Sequence, residues 1–414
     1  MKINNKDTFF VEKVNQQELF AVLLDHFESA QHNIQCIRFQ KKEYTYFLDV
    51  RLNKKNQAVD IVNSKDFPKV ELINLKNKIK ETLVENQILQ FAQVICFTPS
   101  KKIEGYYRYK DLFQLLPMPK EYPQTPMRSA DHPCLLQFSF TSCPDPSICF
   151  KRIDEKSQQY LRILNVLLKD RIFAKFTRGI RDNWIQDDKS TVKWGGVGYQ
   201  TRDGFTVNMK NFSATNNLKP IKTIPAQEYY SNNIQQSLLH GRGSVFDRSV
   251  SLVLPDSISQ SLDIVLDLPK EEFNKFLNAC TWYDRIEEFW NISHSSAFIS
   301  SVIAIECLRD KSKDEHCGEC KQIKNITKNF KEFLSEYVPF IDQVPQVKKA
   351  IYDIRSKLAH GVNLLSQDIE PWNNTINPKA MSEARVEQAL LFIITVTVLR
   401  NWLWKRKIEN NGTN

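Results

Sequence analysis

Near the C-terminus, Arg355 and His360 stand five positions apart in the run Ile351-Tyr-Asp-Ile-Arg-Ser-Lys-Leu-Ala-His-Gly361. An imidazole titrates near neutrality, so it can take the proton from a ribose 2′-hydroxyl or give one to a leaving 5′-oxygen. A guanidinium keeps its charge and offers a planar fork of donors that fits phosphate oxygens and stabilises charge gathering on a phosphorane. Together they suit metal-independent RNA cleavage, with the 2′-hydroxyl as nucleophile and a 2′,3′-cyclic phosphate as product. The spacing by itself also arises by chance, and a histidine at a helix end also serves as a cap or dipole partner. On an ideal helix five residues turn through about 140°, so the two share a face only if the helix unwinds near His360. Gly361 is the residue type that ends a helix in this way.

Other residues invite chemistry less sharply. Cys317 and Cys320 form a Cys-x2-Cys pair after His316. This is half of a zinc site, a loop with two thiols, or a redox pair; structural zinc needs four ligands, and the chain has no second such pair. Cys134, Cys143 and Cys149 fit no metal spacing and read as buried thiols. Trp194-Gly-Gly-Val-Gly-Tyr199 lacks both the phosphate-loop lysine and the dinucleotide spacing, so it reads as a turn between strands. Tyr106-Tyr-Arg-Tyr-Lys110 interleaves rings and cations as single-strand binders do, or packs as ordinary structure. Leu239-His-Gly-Arg242-Gly-Ser244 reads as a surface turn or a basic loop touching RNA. Lys357, beside the Arg/His pair, and Arg242 are the candidate RNA contacts.

The elements that must position the pair are helices. From Pro269 the pattern changes to long apolar periodicities: Asp284–Arg309, Ile323–Tyr337, Val344–Ala359 and Ser382–Lys405, the last with Ser382 as N-cap. Ile351, Ile354 and Leu358 fall on one face of the third, which predicts that this face enters a bundle. Upstream the texture is mixed. Helical spacing over Gln16–Ala30 and Val70–Leu89 alternates with strand-like Ile34–Phe39, Tyr44–Leu52 and Phe91–Thr98. Five prolines between Pro117 and Pro133 mark a linker. Beyond it, Leu135–Phe140 reads as a strand, Glu155–Lys175 as a helix and Thr191–Thr206 as strands. The expected organisation is an α+β multidomain chain. Its parts are a mixed α/β domain (1–116), a linker (117–133), a second mixed α/β region with a sensor or regulatory role (134–268) and a helical bundle (269–410).

Composition bounds the partners. The net charge of +9 lies mostly upstream of residue 273; a basic surface raises the odds of a polyanionic partner, but charge alone fits a merely solvated surface better. Met1-Lys-Ile-Asn-Asn-Lys-Asp has no apolar run, and Ala389–Leu399 is too short to span a bilayer. A cytoplasmic chain with no membrane contact is expected, its nine cysteines mostly reduced. No cofactor is expected.

Tyr352-Asp-Ile-Arg355-Ser356-Lys357-Leu-Ala-His360-Gly361 resembles the Arg-x4–6-His signature of HEPN domains, in particular the Tyr-x-x-Arg-Ser-x-x-x-His-Gly run of the Apea-like branch. Ala304-Ile-Glu306-Cys-Leu308 stands where that branch carries an Ala-x-Glu-x-Leu-like segment. The resemblance covers roughly the last 130 residues, and residues 1 to 270 offer nothing comparably specific. It implies an all-α bundle that pairs with a second copy, two Arg/His pairs meeting across a two-fold axis in one RNA-cutting cleft. Many such proteins act in antiviral defence, abortive infection or as toxins. Carried over, Arg355 binds the phosphate and His360 is the acid/base. Ser356 orients either group, and Glu306 contacts the motif from a neighbouring helix or forms a structural ion pair. Many active members carry Asn, Asp or His at position 356, whereas Ser is usual for the Apea-like branch. The alternative is a non-catalytic bundle that binds nucleotide, RNA or a partner protein, or a dimerisation domain serving an effector upstream.

Overall fold

A computed structural model describes residues 14–27, 29–33, 36–41, 44–54, 58–98, 101–119, 132–174, 192–194, 199–201, 205–230, 251–290, 292–310, 326–338, 340–343, 345–359, 364–365, 368 and 393–411. The chain has mixed α/β content, with sheets early and helices later. It divides into two compact units. The first comprises Met1–Ala92, Ser139–Lys156 and Asn208–Asn211, and the second comprises Gln93–Phe138, Ser157–Val207 and Phe212–Asn414.

In the first unit, helix α1 (Gln16–Phe27) starts where the Asn15 side chain accepts a hydrogen bond from the Gln17 amide at 2.9 Å. The expected continuation to Ala30 does not occur, because Ala30 pairs with Phe39 at the edge of a sheet. That antiparallel sheet runs in the order β1 (Ala30–Asn33), β2 (Cys36–Gln40), β3 (Phe47–Leu52), β4 (Ala58–Asn63). Alternate residues Ile37, Phe39, Leu48 and Val50 are buried. They share one core with Leu19, Leu23 and Phe27 of α1, and with Leu75 and Ile79 of α2 (Lys69–Lys80). On β2 and β3, Arg38 stands opposite Asp49, joins it by two hydrogen bonds of 2.8 and 2.9 Å, and lies 3.7 Å over the Phe47 ring.

A five-stranded sheet holds β5 (Ile88–Thr98), β6 (Tyr107–Tyr109), β7 (Phe113–Pro117), β8 (His132–Ser142) and, beyond short β9 (Val192–Trp194) and β10 (Tyr199–Thr201), β11 (Phe205–Met209). Its order is β11-β5-β8-β7-β6. Pro117 pairs with Cys134, so the proline-rich stretch joins two neighbours of one sheet. The division at 117–133 read from the sequence therefore follows a connection inside the sheet. Tyr107 and Tyr109 turn to packing: the Tyr109 hydroxyl donates to Asp263 at 2.8 Å, and Arg108 pairs with Asp111. Trp194 pairs with Tyr199 between β9 and β10, while the glycines expected to turn between them lie outside the described residues.

Helix α3 (Pro146–Leu167) begins and ends earlier than its periodicity suggests. Asp145 caps its first turn, accepting from the Ser147 amide at 2.8 Å, and Pro146 fits the first helical position. At its other end, Arg400 of α10 (Thr395–Asn411) donates to the carbonyls of Val166 at 2.6 Å and Leu168 at 3.0 Å. The remaining elements follow in order. They are β12 (Thr223–Ile224), α4 (Ala226–Tyr230), β13 (Leu254–Pro255), α5 (Ile258–Asp267), α6 (Lys270–Trp290), α7 (His294–Cys307), α8 (Ile326–Tyr337) and α9 (Pro345–Ala359). Phe276 of α6 stacks on Trp402 of α10 with centroids 6.0 Å apart.

The single helix expected over Asp284–Arg309 is two, α6 and α7. The break comes at Ser293, whose extended backbone (φ −158°) and hydroxyl, accepting from the Ser296 amide, start a new helix. Ser382 lies outside the described residues, as does the first part of the fourth expected helix.

The carbonyls that Arg400 caps sit among buried neighbours, and Arg400 itself is buried. Arg400→Met keeps the stem and removes the donors, and is expected to destabilise the chain by about 2 kcal/mol. Chemical denaturation of parent and variant checks this; an unchanged midpoint would contradict it.

Candidate functional site

Three helices of the second unit converge on Arg355. It lies near the C-terminal end of α9, whose residue Ile351 is buried while Ile354 and Leu358 are half-buried, the face that periodicity assigned to the interior. Its guanidinium donates through Nη2 to Oε1 of Glu306, in the last turn of α7, at 2.5 Å. The same guanidinium carbon is 5.8 Å from the ring centroid of Phe330, a buried residue of α8. Both charged side chains keep about a quarter of their surface, 22% for Arg355 and 25% for Glu306. A charge-assisted bond at this depth fixes the arginine's direction while leaving its charge within reach of solvent. Ser356 is half-buried.

The chain after the motif is fixed at the other end of α7. Asp368 accepts from the Ser293 hydroxyl at 2.9 Å, the His294 amide at 2.7 Å and the Ser295 amide at 2.9 Å. Leu365 adds a bond from its amide to the Ser295 hydroxyl at 2.9 Å. These amides open α7, where a helix has donors without internal acceptors and a positive dipole end, so a carboxylate from a distant segment is well placed. Burial acts to raise the Asp368 pKa. The bonds from Ser295, His294 and Ser293 outweigh it and hold the carboxyl below its ordinary value. Beside it, burial lowers the His294 imidazole while Asp368 opposes that shift, and the ring lies 4.0 Å from that of Trp290.

Arg355 and the segment at Leu365 and Asp368 are thus tied to opposite ends of one helix, whose residues 294 and 306 are separated by about 18 Å at 1.5 Å per residue. His360 comes between these anchors in sequence and lies outside the described residues, as do Arg242, Cys317, Cys320 and the Lys357 side chain. Of the sequence candidates, Arg355 and Glu306 are brought together. Among the described residues no group of three or more His, Cys, Asp or Glu side chains could hold a metal ion.

The Asp368 anchor went unnoticed in the sequence because its carboxylate caps a helix that starts more than seventy residues earlier. The Ser293-His-Ser-Ser296 run, rich in capping residue types, is the one local signal that could have marked the helix start.

Several upstream cations are matched locally. Lys101 pairs with Asp170 at 3.1 Å, and Arg171 with Asp284 at 3.1 Å and Glu287 at 3.8 Å. Among the described residues no helix is long and apolar enough to cross a membrane. Compared with protein-family models, curated proteins and solved structures, the chain matches none.

Removing the cap isolates its contribution. Asp368→Ala should cost about 1 kcal/mol at pH 7, the usual worth of a helix cap. Because the folded-state pKa is depressed, this contribution is present above the unfolded value of about 3.9 and fades as pH falls through the lower folded value. Denaturation of parent and variant at neutral and at acid pH should show the gap closing in acid; a gap independent of pH would contradict the carboxylate's role.

Proposed function

We propose that this chain is an endoribonuclease of the HEPN type, cutting RNA by attack of the 2′-hydroxyl on its own phosphodiester without a metal. The observation that carries this reading is the Arg355–Glu306 bond. The two segments that resemble the Apea-like branch, 49 residues apart in sequence, meet through the residues the resemblance singles out. The helices from Pro269 onward form the HEPN bundle, and the rest of the chain serves sensing or restraint.

In this account Glu306 aims the guanidinium, and Arg355 stabilises the charge that builds on the phosphorane oxygens. His360 takes the 2′-hydroxyl proton, and the corresponding histidine of a second copy, protonated, gives its proton to the 5′-oxygen as the P–O5′ bond breaks. Two copies give one cleft with an acid and a base. Ser356 orients the pair, while Lys357 and Arg242 contact the RNA backbone. The setting is cytoplasmic, in antiviral defence, abortive infection or a toxin-like role.

A second reading has its own observation. Glu306 already occupies one arm of the guanidinium, as a purely structural ion pair would. The bundle would then bind RNA, nucleotide or a partner protein without cutting.

The variants separate the two. His360→Ala should lower RNA cleavage by about a hundred- to ten-thousandfold. Arg355→Ala should lower it about a hundredfold or more. Glu306→Gln, which keeps an acceptor for Arg355, should lose less than Arg355→Ala. Cleavage by purified parent and variants on labelled RNA, with binding measured in parallel, is the check. Parent and both alanine variants cutting alike would overturn the proposal, and RNA binding with no cleavage would favour the second reading.

A further inference from the structure

The turn from β8 into α3, within the first unit, brings two thiols together. Sγ of Cys143 lies 3.9 Å from Sγ of Cys149, six residues on. The contact is built from several sides. The Cys149 thiol donates to the Cys143 carbonyl at 3.1 Å, and the Cys143 amide donates to the Cys149 sulfur at 3.2 Å. The Cys143 thiol is 3.5 Å from the Asp145 carbonyl, its acceptor. Pro144 and Pro146 fix two backbone angles between the cysteines, and the Asp145 cap holds the first helical turn. Much of the entropy cost of bringing the sulfurs together is therefore met by the fold itself.

Proximity separates this pair from the half-buried Cys36 and Cys307, and access separates it from the buried thiols. Cys96, Cys134 and Cys280 are fully buried, whereas Cys143 and Cys149 are both half-buried. The sulfurs are close to van der Waals contact, and small side-chain rotations bring them to a disulfide length of about 2.05 Å. One turn further along α3, Arg152 holds Glu18 by two hydrogen bonds of 2.7 Å, anchoring the helix start next to the pair.

We propose that Cys143 and Cys149 form a thiol–disulfide site, closing reversibly to an intrachain disulfide by exchange with a low-molecular-weight disulfide such as glutathione disulfide. One cysteine, as thiolate, attacks a sulfur of the external disulfide and displaces one glutathione thiolate. The second cysteine then attacks the protein-bound sulfur and displaces the other glutathione. Two protein thiols are oxidised to one disulfide, the external disulfide is reduced to two thiols, and the two cysteine protons end on the two glutathiones. Burial pushes the Cys143 thiol up to about 11, with Arg152 opposing, which suits Cys143 to the second, intramolecular attack. The site is independent of any RNA chemistry.

The test uses the full reduced chain with glutathione disulfide, followed by alkylation and trypsin. The sequence has no lysine or arginine between Arg128 and Lys151, so a single peptide carries Cys134, Cys143 and Cys149. The expected product is that peptide lighter by two hydrogens, with fragmentation placing the bond between Cys143 and Cys149, and dithiothreitol restoring it. In Cys143→Ser the exchange should stop at glutathione attached to Cys149, and Cys143→Ala should do the same. Both cysteines staying alkylatable in the parent would overturn the proposal. So would mixed disulfides that never close, or a bond made to Cys134 instead.

Discussion

The hydrogen-bonded ion pair between Arg355 and Glu306 is the constraint on which the functional reading of the helical region depends. A long side chain on a helix surface samples many rotamers, and a phosphate-binding arginine acts only when its fork is aimed. Glu306 aims it by tying the end of α9 to the end of α7, with the buried Phe330 of α8 alongside. In the proposed reaction the same carboxylate would compete with a phosphate for the guanidinium. Both groups keep part of their surface exposed, so the proposed binding of a phosphate would not require the pair to be uncovered first.

The other end of α7 follows a complementary logic. A helix that begins with orphan amides and a positive dipole end is stabilised by an anion, and Asp368 supplies one from the segment beyond the motif. Arg400 applies the mirror-image rule at the end of α3, a cation on orphan carbonyls. These charged side chains end helices by reaching across large sequence separations, so each bond also fixes tertiary structure. Such bonds cost more to break than surface ion pairs, because the groups left behind are partly or fully buried.

How far the sequence alone reaches can be judged element by element. The strands around Phe39 and Val50 were legible because a half-buried sheet alternates its apolar residues, and α9 was legible from Ile351, Ile354 and Leu358. The break at Ser293 was not, since apolar residues continue on both sides and periodicity does not register a capping serine. The ends of α3 were displaced for a similar reason: its start is set by Asp145 and its end by Arg400, and neither belongs to the apolar pattern. The proline-rich stretch looked like a domain boundary because composition reports local stiffness, whereas the pairing of Pro117 with Cys134 is a long-range fact. Within the site, the resemblance offered Glu306 either as a contact of the motif or as a structural ion pair, and its partner proves to be Arg355. Asp368 carried no local signature, because a cap borrowed from another segment leaves no trace in the sequence around the helix it caps.

The proposed reaction would leave a mark independent of any substitution. Attack by the 2′-hydroxyl must end in a 2′,3′-cyclic phosphate on one fragment and a 5′-hydroxyl on the other. Metal-activated water would more commonly leave a 5′-phosphate. End-group analysis of RNA cut by the purified chain, alongside the same RNA carrying a 2′-deoxy nucleotide at the cut position, is the most direct measurement. Cyclic phosphate ends, with the deoxy position left intact, are the predicted result. Fragments bearing 5′-phosphates, or cleavage that ignores loss of the 2′-hydroxyl, would contradict the account.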